Sequence, residues 1–139
     1  MKRLFILIYL ISISSALLAQ NDQEDEKLIK SVYFGGGSYY IDADQIIEIK
    51  EFLESIENIE SYQISIYSHT DNIGGVEYNQ WLSGMRSQST LTQLLRNDIL
   101  YEKIHIESHG QKNPLYDNDS WTGRQGNRRV DIILWPIVM

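Results

Sequence analysis

Between residues 31 and 134 the apolar positions switch back and forth between the spacing of a strand and that of a helix. Each such element has to bury one face, and strands alternating with helices do so as an α/β sandwich, with helices packed on a sheet. Ser31–Phe34 reads as a strand closed by the permissive run Gly35-Gly36-Gly37-Ser38. Ile46, Ile49, Phe52, Leu53 and Ile56 follow helical spacing behind Asp42 or Asp44, either of which suits the N-cap. Tyr62, Ile64, Ile66 and Tyr67 form a second strand. A turn at Asn72–Gly75 leads into a long helix over about Val76–Asn97, with Leu82, Met85, Leu91, Leu94 and Leu95 facing inward. Ile104 and Ile106 mark a third strand. A loop runs from Gly110 to Ser120, a helical turn covers Thr122–Asn127, and Val130, Ile132 and Leu134 alternate in a last strand. The chain of 139 residues is long enough for one core of this kind, with little to spare.

The first twenty residues stand outside this pattern. Lys2 and Arg3 precede an apolar run from Leu4 to Leu18, broken only by Ser12, Ser14 and Ser15, and Ala19 follows. A charged start, a short apolar stretch and a small-residue cleavage site are the parts of a secretory signal peptide. An uncleaved membrane anchor is the alternative, but a span needs about 20 apolar residues. Residues 1–19 are therefore expected to be a cleaved signal peptide, with Ala16 as a second cleavage position. Gln20–Lys27 is polar and acidic, and reads as a flexible leader. Residues 28–139 are expected to form one domain.

Acidic residues outnumber basic ones 19 to 12, for a net charge of −7. That balance argues against nucleic acid or an anionic membrane as the partner, since both call for basic excess. Cysteine is absent. Disulfides, thiolate metal sites, a cysteine nucleophile and a lipid anchor on an N-terminal cysteine are excluded with it.

The polar residues concentrate in three places: His69–Asn72 after the second strand, Asn79, Ser83 and Arg86 on the long helix, and Arg124–Arg129. Strand ends in such sheets are where ligands usually sit. A helix folding back over the sheet would bring Asp71 and Arg86 to one cleft. There the carboxylate suits an ammonium and the guanidinium grips a carboxylate in bidentate fashion, a match for a zwitterion. An Asp71–Arg86 salt bridge, or Asp71 capping a turn, remains the simpler explanation of the pair. His69 with Asp71, and His105 with His109 at strand parity, invite a metal reading, but no third ligand and no H-E-x-x-H signature accompany them. No G-x-S-x-G turn supports a serine hydrolase, and Ser83 reads as a helix-surface residue. Gly35-Gly36-Gly37 lacks the spacing of nucleotide loops; a tight turn explains it better than an anion cradle. The basic run Gly123–Arg129 reads as a solvated turn or as part of a site.

Taken together, His69-Thr70-Asp71-Asn72-x-Gly74, Asn79, Leu82-Ser83 and Arg86 resemble the H-T-D-x-x-G…N…L-S-x-x-R core of the OmpA-like (OmpA/MotB C-terminal) domain. Gly110 and Pro114 look like that family's G-x-G-E-x-x-P stretch. Asn118, Gly123-Arg124 and Asn127-Arg128-Arg129-Val130-Asp131-Ile132 look like its N-x-T…G-R…N-R-R-V-x-I ending. Tyr33-Phe34 and Ser38 fall where the family has its first-strand F…S segment. The resemblance runs in order from about residue 31 to 134.

It implies an OmpA-like βαβαβ(β) sandwich: a mixed four-stranded sheet with helices packed on it, its last strand antiparallel. It also implies non-covalent binding of peptidoglycan through the diaminopimelate of the stem peptide, without enzymatic activity and without a cofactor. On that resemblance Asp71 would take the ligand's ammonium and Arg86 its carboxylate. Thr70 and the loop around Gly36 would add backbone N–H groups, and Asn79 and Arg128 would line the site. Truncating Asp71 or Arg86 is expected to leave the fold intact, the cleft being partly solvated. Two departures stand out. Ser108-His109-Gly110-Gln111 replaces the family's usual G-Y-G-E, and three glycines stand where many members carry Asp or Asn. Signal peptide and leader leave no room for the barrel, lipid anchor or membrane helix usual beside this domain. The expectation is a periplasmic wall binder, or a subunit joined to the outer membrane through an envelope protein.

Overall fold

The computed structural model describes residues 26–138. The expected signal peptide, most of the leader and Met139 lie outside the described residues. Four strands and three helices alternate: β1 (Leu28–Tyr33), α1 (Ala43–Glu54), β2 (Tyr62–Ser68), α2 (Val76–Arg96), β3 (Ile104–Ser108), α3 (Trp121–Asn127) and β4 (Arg129–Pro136). The sheet order is β1-β4-β2-β3. β4 is antiparallel to both β1 and β2, while β2 and β3 run parallel. This is the mixed four-stranded sheet the resemblance implies.

One face of the sheet carries Val32, Ile64, Ile66, Val130, Ile132 and Leu134, all essentially inaccessible to solvent. Ile49 and Leu53 of α1 and Leu91 and Leu94 of α2 close over them as a single core. Asp42 caps α1, its carboxylate accepting the Gln45 N–H at 2.9 Å. Gln45 then ties α1 to the end of β1, bonding both the N–H and the carbonyl of Tyr33.

Four local expectations are corrected. Leu95 is 43% exposed and Met85 only half-buried, because the buried stripe of α2 passes through Ser83, Arg86, Ser87, Thr90, Leu91 and Leu94 and leaves both well off its centre. Ser83 is fully buried and not on the surface: its hydroxyl accepts the Gly110 N–H at 2.9 Å and donates to the Gln80 carbonyl. Phe34 lies just past β1, although its N–H still bonds the Arg128 carbonyl.

The register explains where polar chemistry can gather. Val32 pairs with Val130, Val130 with Ser68, and Ser68 with Ser108. The chain leaving β1, β2 and β3, and the chain entering β4, therefore meet at one edge of the sheet.

Candidate functional site

At that edge the His69–Asp71 segment is clamped from both sides. His69 N–H bonds the Arg129 carbonyl and Thr70 N–H bonds the Gly110 carbonyl. The Thr70 hydroxyl donates to the Asp71 carbonyl. Asp71 then turns the chain, its Oδ1 accepting the Ile73 N–H at 3.1 Å. Gly74 completes the turn at φ +99°, where a Cβ would lie 2.9 Å from the Tyr78 ring. With its N–H bonded to Gly110 and its hydroxyl to the Asp71 carbonyl, Thr70 has no free backbone donor of the kind expected of it.

Asp71 and Arg86 come to one place, but they are not an ion pair with each other. Asp71 Oδ2 lies 3.2 Å from Arg128 Nη1. Arg86 is fully buried, with Nε donating to the Ser38 carbonyl, Nη1 to that of His69 and Nη2 to that of Gly35. Its guanidinium also rests on the Phe34 ring, 5.0 Å from the centroid. Arg128 Nε reaches the Phe34 carbonyl at 3.0 Å. Both guanidiniums thus grip the segment Phe34–Ser38, and between them sits one carboxylate. Burial pushes the Arg86 guanidinium down to about 10, with Asp71 opposing the shift and Arg128 adding to it; Arg86 stays cationic at neutral pH. The cluster therefore carries one positive charge in excess. An open cleft of about 450 Å³, lined by Phe34, Gly35, Asp42, Gln45 and Arg128, adjoins it.

Arg86 consequently has a structural task, and its burial argues against the expectation that its truncation leaves the fold untouched. Three carbonyls at the heads of two loops depend on it. Gly36 occupies the tip of the turn Gly35–Ser38, in open space, and Gly37 takes φ +67°. Asn79 is fully buried on the first turn of α2. Its Nδ2 donates to Gln111 Oε1 at 2.7 Å, and its Oδ1 has no partner. That oxygen is an orphaned acceptor in a buried position.

Two residues that shape the site, Phe34 and Asn127, match the family's motifs in the sequence but are given no role there. Phe34 supports Arg86 with its ring and Arg128 with its carbonyl. Asn127 holds the loop after β3: Oδ1 accepts from Leu115 and Tyr116 N–H, and Nδ2 donates to the Tyr116 carbonyl and Asn118 Oδ1. Nothing in the residue spacing reveals such a hub.

The histidines have other work. His69 and His109 stack at 5.0 Å, and His105 and His109 both approach the Glu107 carboxylate. Burial, helped by the Arg129 cation, lowers His69 to about 4. No group of three or more His, Cys, Asp or Glu among the described residues is placed to share a metal ion. No helix among them is long and apolar enough to cross a membrane.

Comparison with known proteins places these features in context. The model of the OmpA family matches residues 33–128. The chain is similar to the outer-membrane lipoprotein YfiB of Pseudomonas aeruginosa, 28% identical over 103 residues, covering 74% of this chain and 61% of that one. It is 31% identical over 74 residues to the probable lipoprotein YiaD of Escherichia coli, covering 53% of this chain and 34% of that one. The chain thus spans less than two thirds of either relative. Its fold matches the peptidoglycan-associated lipoprotein of Burkholderia pseudomallei with a TM-score of 0.70 at 23% identity, covering 76% of this chain and 90% of that one.

Proposed function

The chain belongs to the OmpA family, and on that premise we propose that it binds peptidoglycan non-covalently, through the diaminopimelate of the stem peptide. The observation that carries the reading is the cluster of Asp71, Arg86 and Arg128 at the sheet edge, one carboxylate between two guanidiniums. The free end of a diaminopimelate side chain is a zwitterion. Its carboxylate complements the cationic excess, and its ammonium complements Asp71 and the orphaned Asn79 Oδ1. Three of the five guanidinium N–H groups of Arg86 are bonded to backbone, leaving two for the ligand. Thr70 and the Gly36 turn complete the rim. The protein acts as a non-enzymatic anchor or scaffold. Residues 1–19 direct it to the periplasm and are removed, residues 20–27 form a leader, and residues 28–139 form the binding domain.

Co-sedimentation with purified sacculi tests this. The protein should pellet with the wall, be released by free diaminopimelate, and liberate no soluble muropeptides. Failure to pellet would remove the reading.

A second reading rests on the same geometry. Asp71 already has Arg128, and Arg86 already has three carbonyls. A site so well satisfied from within suits an envelope protein–protein interaction module with weak or no wall binding. Retention by a defined envelope partner, unaffected by Asp71→Asn, would favour it.

A further inference from the structure

Beside the zwitterion site lies an aromatic surface that the site does not use. Tyr39, Tyr78 and Trp81 are 41%, 44% and 52% exposed, yet they pack on one another. Tyr39 meets Trp81 edge to face at 6.0 Å, and Tyr78 lies 5.7 Å from Trp81. Exposed aromatic rings held by their neighbours are a preformed platform, not scattered surface residues.

Two observations tie the platform to the site. Tyr78 borders both of its loops: its hydroxyl lies 3.3 Å from where a Cβ on Gly37 would stand, and its ring 2.9 Å from one on Gly74. The segment bearing Tyr39 is fixed to α2 by the Ser89 hydroxyl, which donates to the Tyr39 carbonyl at 2.7 Å, and by Arg86 on the Ser38 carbonyl.

The surface continues away from the site. Tyr78, Trp81, Met85, Ser89, Thr92 and Arg96 succeed one another at three- and four-residue steps, so they form one stripe along α2. From Tyr78 to Arg96 it is about 27 Å long. Its far half is an open cleft of about 330 Å³ that Tyr39 shares with Tyr40, Ile41, Ile46, Thr92 and Arg96. Aromatic and aliphatic faces are thus followed by the exposed Arg96 guanidinium.

That order of groups fits a chain of N-acetylated pyranose rings. A pyranose presents an apolar face of C–H groups that lie well on the negative face of an indole or phenol ring. Its hydroxyl and N-acetyl oxygens accept hydrogen bonds at the edge. We propose that Tyr39, Tyr78 and Trp81 form a second subsite that takes the glycan strand of the wall, with the exposed Arg96 guanidinium bonding its polar edge. This rests on the reading of the adjoining site as a stem-peptide site, because a wall stem peptide brings its sugars with it.

The test measures binding of the protein to two probes separately: a diaminopimelate stem tripeptide without sugar, and glycan strands stripped of peptide. Trp81→Ala and Trp81→Phe are compared with wild type. The expected result is glycan binding that falls roughly two- to tenfold in Trp81→Ala, returns toward wild type in Trp81→Phe, and leaves tripeptide affinity unchanged. Tripeptide binding without glycan binding overturns the subsite and spares the peptide site. Glycan binding without tripeptide binding removes the peptide reading and keeps the subsite. Equal losses for both probes in Trp81→Ala, or retention of an envelope protein on this surface with no glycan binding, overturn the proposal.

Discussion

Arg128 holds Asp71: its Nη1 lies 3.2 Å from the carboxylate, with 13% and 8% of the two side chains exposed. Arg86, the residue that sequence spacing pairs with Asp71, is turned instead to three backbone carbonyls. Two cations thus divide two tasks. One guanidinium neutralises the carboxylate and the other fastens the loops on either side of it. Arg128 keeps 13% of its side chain exposed there, while Arg86 is fully buried.

The division separates two variants that test such a site. Arg86→Ala strips three carbonyls of their donor and leaves Asp71 with less positive charge around it. It should cost about 3–5 kcal/mol of stability, read as a lower midpoint in urea unfolding. A midpoint unchanged from wild type would mean that Arg86 carries no structural load.

Asp71→Asn is the cleaner probe of binding. The amide oxygen still accepts the Ile73 N–H, so the turn is kept. The loss of charge should cost about 1–3 kcal/mol while removing affinity for a diaminopimelate peptide in a calorimetric titration. Retained affinity would take Asp71 out of the site.

His69 makes stability depend on pH. Its folded value of about 4 lies below the ordinary 6.5. As pH falls through 6.5 the unfolded chain binds a proton that the folded protein refuses until about 4. Stability is therefore complete above 6.5 and lost progressively between 6.5 and 4, by at most about 3 kcal/mol from this group. Urea midpoints for wild type and His69→Phe should diverge in their pH dependence over that window. Parallel curves would show that burial does not suppress this protonation.

Gly123 has no room for a side chain, since a Cβ would lie 1.7 Å from the Asp117 carbonyl oxygen. Gly123→Ala must displace the loop that Asn127 holds, costing about 1–3 kcal/mol. Faster amide exchange at Leu115 and Tyr116, as in Asn127→Ala, is the specific readout. Unchanged exchange at both would contradict the packing described.

Much of this architecture is legible in the residues. Alternation at Val130, Ile132 and Leu134, helical spacing at Ile49 and Leu53, and the aspartate at position 42 each dictate local structure that the fold realises. So do the motif residues His69–Asp71, Arg86 and Arg128, which meet at one end of the sheet. What the sequence hides is pairing across distance. Asp71 has two arginines to choose from, and only the register of β4 beside β2 sets which one meets it. Ser83 looks like a surface hydroxyl because nothing local announces that Gly110 will dock on it. Leu95 looks inward because a short apolar run does not reveal where the helix's buried stripe is centred.

The central claim is recognition of a zwitterion, and one comparison tests it most directly. The protein is titrated calorimetrically with a stem tripeptide ending in diaminopimelate and with the same peptide carrying lysine at that position. The lysine peptide keeps the ammonium and lacks only the side-chain carboxylate. The account predicts binding of the first and roughly 10- to 100-fold weaker binding of the second, the worth of one charge-assisted contact. Equal affinity for both peptides, or none for either, would contradict it.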